Sequence, residues 1–284
     1  MMFNGIFYEN SINSLNKQIE ECFNSNLGPG DLPVSKRSKK LFGIISPHAG
    51  YAYSGACQAW AYKEIAESEF PDVYVILGTN HNGVGKFSAC LRNFESPFGV
   101  VSVDEEFGKG LMNEFKLLKE QSRDHLREHS IEVQLPFLQF VSKNKLSDLK
   151  ILPILIGHAD YEDLKVFGEI LGSTNKKIIV IASSDFTHYG PNYGYIPFVN
   201  DKKENLYKLD NKMIEFILNL DSKGFLEYKN KMDATVCGAN VIITAIETVK
   251  VLGCKKGQLL KYYTSGDVTK DYEGAVGYSG VVFR

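Results

Sequence analysis

The sequence lacks the features that most quickly assign a chain. It has no apolar run of the ~18–20 residues that span a bilayer, so a soluble protein is expected. It has no GxxxxGK[ST], no GxGxxG behind a strand, no GxSxG and no CxxC. Phosphate cradles, dinucleotide folds, hydrolase elbows and dithiol sites therefore lose their usual signatures. Charge of either sign is not in excess: 32 Lys and Arg face 34 Asp and Glu, a net of −2, which argues against general nucleic-acid affinity. The short basic run SKRSKK (35–40) reads as a solvated loop. Cysteine is sparse and odd in number, with Cys22, Cys57, Cys90, Cys237 and Cys254, and no secretory leader is read at the start. A reducing, cytoplasmic setting is the expectation.

What is present is a steady alternation of apolar runs and amphipathic stretches. LFGIIS (41–46), DVYVILG (72–78), LKILPILIG (149–157) and KIIVIAS (177–183) read as buried strands. Helices are expected over 53–70, 104–120, 130–144, 159–173, 200–230 and 238–253, the last stopped by Gly253. Pro136 must bend the third of these or reset its start. FSACLRNFESPFGVVSVD (87–104) reads as a hairpin added at the sheet edge, and 258–266 and 275–283 as closing strands. Continuous Val/Ile/Leu strands separated by helices imply an α/β fold, with a mostly parallel central sheet covered by helices on both faces. No linker interrupts the chain, so residues 1–284 are expected to form a single α/β domain.

Ligands of open α/β sheets bind beyond the carboxyl ends of the strands. The first strand is followed by PHAGYAYSG with His48, the second by TNHNG with His81, and KIIVIAS by SDFTHYG with Asp185 and His188. If the strands are parallel, these three loops share one edge. His158, after LKILPILIG, has no neighbouring carboxylate and reads as a capping or packing residue. Cys237 directly precedes a helix, whose dipole favours thiolate, the form that binds metals. The segment RDHLREHSIEVQLPFL carries His125 and His129 four residues apart, but HLREH is not HExxH. It reads as a helix start with Ser130 as N-cap and Glu132 in the first turn, and Glu128 and His129 as residues supporting a site from behind. His48, His81, Asp185, His188 and Cys237 together suit a metal: two imidazoles and one anion match Fe(II) chemistry, Zn(II) is also compatible, and a thiolate suits copper. A histidine left unligated could act as a base.

SPHAGYAYSG, LGTNHNG, EHSIEVQLPFL, SSDFTHYG and ATVCGAN, in this order and spacing, together with GIFY near the start, resemble the Memo family over nearly the whole chain. The resemblance implies a fold like that of class III extradiol dioxygenases. It places His48 and His81 at the two histidine-ligand positions, His188 at that of the base, and Cys237 where those dioxygenases carry a carboxylate ligand. That departure leaves Cys237 and Asp185 both open as the anionic ligand. It implies Fe(II) or copper ahead of zinc, and a redox enzyme acting on an unknown small substrate. The other implied reading is a binding or adaptor protein with a vestigial pocket, in which Tyr51 and Tyr189 count as pocket aromatics. Prokaryotic members of the family (the AmmeMemoRadiSam set) imply AMMECR-type and radical-SAM partners. A zinc hydrolase ranks below both.

Overall fold

The computed structural model describes residues 2–34, 36–83 and 85–284. Ser35, the first residue of the basic run, lies outside them; Lys36, Lys39 and Lys40 of that run are exposed. The strands are β1 (Gly43–Ser46), β2 (Val73–Thr79), β3 (Phe87–Ala89), β4 (Phe94–Ser96), β5 (Gly99–Val103), β6 (Leu118–Glu120), β7 (Lys150–Ile156), β8 (Ile178–Ser183), β9 (His188–Tyr189), β10 (Gly257–Thr264) and β11 (Ala275–Phe283). The α-helices are α1 (Ile12–Asn24), α2 (Tyr51–Glu67), α3 (Glu105–Glu114), α4 (His129–Glu132), α5 (Gln134–Val141), α6 (Tyr161–Gly172), α7 (Lys202–Leu218), α8 (Ser222–Lys231), α9 (Ala239–Val251) and α10 (Ser265–Thr269).

The main sheet runs β10-β11-β1-β8-β2-β7-β3-β6. Its centre, β1-β8-β2-β7, is parallel throughout. The four carboxyl ends therefore lie on one edge, as the apolar runs imply. Antiparallel pairing is confined to the flanks, where β11 joins β1 and β3 joins β7. Strand residues alternate between the two faces. Val73, Val75 and Leu77 enter one core with residues of α3, α6, α7, α8 and α9. Tyr74 and Ile76 enter the other with α1, α2 and α5. Both faces are covered, which is why these strands read as unbroken apolar runs.

Five expectations are corrected or sharpened. The helix expected over 104–120 stops at Glu114, and residues 118–120 instead pair with β3, Phe87 opposite Leu118. An open strand edge overrides helix propensity there. Residues 87–104 contain two features: β3 sits inside the sheet against β7, and only β4–β5 form the hairpin, with Pro97 and Phe98 as its turn. The 130–144 helix divides at Val133, and Pro136 falls in the first turn of α5, where its missing N–H is not needed. Ser130 is not the cap: α4 begins at His129, and the Glu128 carboxylate accepts the Ser130 N–H. His158 neither caps nor packs; it is exposed, and the cap position of α6 belongs to Asp160.

Gly238, the cap residue of α9, lies tight against Ser183 and Ser184 at the end of β8. A Cβ there would lie 2.5 Å from the Ser184 side chain and 3.0 Å from the Ser183 carbonyl. Gly238→Ala is expected to cost about 1–3 kcal/mol by overpacking and to displace the adjacent Cys237. Paired thermal unfolding and metal titrations check this, and an unchanged protein in both would show that the contact relaxes freely.

Candidate metal centre

Four of the candidate side chains are delivered by strand ends. His48 follows β1, His81 follows β2, and Asp185 and His188 follow β8. Cys237 arrives from the opposite direction, just ahead of α9. An antiparallel bridge between Thr187 and Val236 ties its segment to the loop after β8. Ligand atoms of His48, His81 and Cys237 all lie within 4.8 Å of one another, and Cys237 Sγ is 3.2 Å from His48 Nε2.

The hydrogen bonds fix which nitrogen each histidine presents. Ser183 Oγ donates to the Ser130 carbonyl at 2.6 Å and accepts from Gln134 Nε2 at 2.9 Å. Its single hydrogen is thus used, so His48 Nδ1, 2.9 Å away, must be the donor to Ser183. Nε2 of His48 keeps its lone pair toward Cys237. Burial, then the neighbouring His81, lower the His48 pKa to about 3 and hold the ring neutral. His81 Nδ1 faces the Glu128 carboxylate at 2.9 and 3.1 Å, and the His81 backbone N–H donates to it at 2.9 Å. This leaves Nε2 of His81 free, the carboxylate–histidine arrangement that orients metal ligands. Burial alone would raise Glu128, but the bonds from His81 and Ser130 outweigh it and bring its pKa to about 2.

Burial, and then the charge of Asp185, push the Cys237 thiol well above its ordinary range. Without a cation it stays protonated; a coordinating metal deprotonates such a thiol outright. Asp185 is buried, and its carboxylate accepts the His48 backbone N–H at 2.8 Å, with the other oxygen 4.0 Å from His48 Nε2. Burial raises its pKa against the pull of His188 and that N–H. Its observed contact is the orientation of His48, whereas Cys237 is the anion-forming group that meets both histidines.

A second cluster, His81, Glu128 and His129, shares one member with the first. Its carboxylate already accepts three N–H groups, which makes the thiol-containing set the better metal donor. The His129 ring stacks on His81 at 5.0 Å and meets His48 edge-on at 5.1 Å. Burial, then His48, lower its pKa to about 4. Phe7 and Phe3 cover His129 at 4.8 and 5.7 Å. The buried Glu132 holds this N-terminal segment in place by accepting the N–H groups of Met2 and Phe3, each at 3.0 Å.

His188 is half-buried. Its Nδ1 lies 3.0 Å from the Phe186 carbonyl and 3.1 Å from that of Thr235. Carbonyls only accept, so Nδ1 carries the proton and Nε2 is left as a base. His188 lies within electrostatic reach of both His48 and Asp185. Tyr51 and Tyr189 are buried with their hydroxyls committed to the carbonyls of Val133 and Phe198. Both act as packing groups in this arrangement. Ser183, Gln134 and Thr235 were not singled out by the sequence. The only available signal was that each is a polar residue within a segment already carrying a candidate site residue.

The family model described as Memo-like protein matches residues 1–282. The chain belongs to the Memo-like family. Among Memo relatives, the chain is similar to a MEMO1 family protein of Methanopyrus kandleri, with 38% identity across 99% of this chain and 96% of the relative. A MEMO1 family protein of Nitrosopumilus maritimus is 37% identical across 98% and 97% of the two chains. One from Methanocaldococcus jannaschii is 36% identical across 98% and 96%. Among solved structures, an uncharacterized protein of Escherichia coli K12 shares the fold, with a TM-score of 0.56 and 10% identity over 86% of this chain and all of that one. No helix among the described residues is long and apolar enough to cross a membrane.

Proposed function

We propose that this Memo-like protein is a metal-dependent redox enzyme. In this reading His48, His81 and Cys237 hold Fe(II) or copper, and His188 transfers a proton on a small substrate. One observation supports it above the others: three donor atoms of types that suit these metals converge within 4.8 Å, and each histidine has its other nitrogen engaged. A bound Fe(II) or copper ion would supply one-electron chemistry and Lewis acidity at that point. The protein's own residues do the rest. Ser183 and Glu128 fix the two ring tautomers, and Asp185 holds the His48 backbone. The carbonyls of Phe186 and Thr235 keep the His188 proton on Nδ1, so that Nε2 can take a proton from a substrate hydroxyl.

Metal analysis of anaerobically purified protein tests the reading. The parent should carry about one Fe or Cu per chain, His48→Ala and His81→Ala should lose it, and His188→Gln should keep it. Retention of the same metal by both alanine variants would place the metal elsewhere. A parent without stoichiometric metal would favour a binding protein that has kept the pocket without the chemistry.

A further inference from the structure

We propose that a second cavity, separate from the metal centre, binds a small monocarboxylic acid with an apolar body and one O–H or N–H donor. The cavity measures about 480 Å³ and opens between the loop after β3 and the 3-10 turn at Asp124–Arg127. That volume suits a ligand of small-metabolite size.

Three observations define the chemistry. Arg92 and Arg123 line the cavity and are exposed, and among the described residues neither has an ion-pair partner. Two arginines without ion-pair partners on one cavity offer N–H donors to a carboxylate. The nearby acids are engaged with neutral donors. Glu120 accepts from Ser122, Asp124 accepts from Ser88 at 2.7 Å, and Glu132 accepts the N–H groups of Met2 and Phe3 at 3.0 Å. Glu95, exposed on the same cavity, and the buried Glu132 set two carboxylates against the two arginines, which disfavours a dianion such as phosphate and limits the site to no more than a single negative charge.

The third observation is His125, which lines the cavity and is only 8% exposed. Its Nε2 lies 2.9 Å from the Ser88 carbonyl, so the proton sits on Nε2 and Nδ1 is an acceptor. Nδ1 is buried and has no hydrogen-bond partner among the described residues. Buried polar atoms are seldom left so, and a ligand donor would satisfy it. Phe94 and Leu126 supply the apolar wall, with Leu126 63% exposed. None of these residues belongs to the proposed ligand set.

The probe is 4-hydroxyphenylacetate, with phenylacetate as the analogue lacking the donor, both titrated calorimetrically. The 284-residue protein should bind the hydroxylated acid saturably. Loss of the probe's hydroxyl, or the double substitution Arg92→Gln with Arg123→Gln, should each weaken binding about tenfold or more. Both arginines are exposed, so the double variant should keep the parent's circular dichroism. His48→Ala should bind the probe as the parent does. The proposal is overturned by absence of saturable binding, by equal affinity for the two acids, by equal affinity of parent and double variant, or by loss of binding in His48→Ala.

Discussion

Glu128→Gln will lower metal affinity about 10–100-fold, the usual effect of removing a ligand's carboxylate partner, while leaving the three ligands in place. Glu128 is buried and accepts from the side chain and backbone of His81 and from Ser130. The neutral amide can still accept one of these bonds and preserves the start of α4. It cannot bias the His81 ring toward Nδ1–H as a carboxylate does, and it removes the charge that makes the ring a better donor. A competitive chelator titration of parent and variant measures the difference. Equal affinities would mean that His81 does not bind metal through the nitrogen opposite Glu128.

The metal-free protein will lose folding stability as pH falls from 7 to 5. His48, His125 and His129 are buried and held neutral, with pKa values near 3, 4 and 4, burial being the largest cause in each case. In the unfolded chain each titrates near the ordinary ~6.5. Between these values the unfolded state binds more protons, so stability drops as pH drops. Each histidine contributes roughly 2 kcal/mol of loss over the two units. Asp210 works in the opposite direction. Burial raises it to about 7 against the bonds from Thr187 and Tyr262, so the folded state takes up its proton first and gains stability on acidification. The gain is again about 2 kcal/mol, and Asp185, also raised by burial, has the same sign. The net is a loss smaller than the histidines alone would give. Asp210→Asn removes one opposing contribution, so its loss between pH 7 and 5 should exceed the parent's by about 2 kcal/mol. Urea unfolding of chelator-treated protein at both pH values measures this. A parent that gains stability on acidification, or a variant with the same slope as the parent, would contradict it.

The sheet was readable because burial on both faces writes itself into sequence as unbroken runs such as VYVILG and IIVIAS. The shared edge followed from parallel order, which delivers His48, His81 and His188 from strand ends on one side of the sheet. Residues 118–120 were not readable, since their state depends on the open edge of a distant strand, and Leu118 suits either state. The capping error at Ser130 has a similar origin. Glu128 is a poorer cap by propensity, but it is fixed there by His81, 47 residues away. The hydrogen bonds that set the ring tautomers were also beyond sequence. Ser183 takes its role from simultaneous contact with Ser130, Gln134 and His48, which only the folded chain brings together.

The central claim is that His48, His81 and Cys237 form one metal site. Anomalous diffraction from anaerobically grown crystals, recorded at the Fe, Cu and Zn edges, tests it most directly. The expected result is a single peak at the Fe or Cu edge, enclosed by the His48 and His81 rings and the Cys237 sulfur. A peak at another cluster, or none between these three side chains in crystals supplied with both metals, would contradict it.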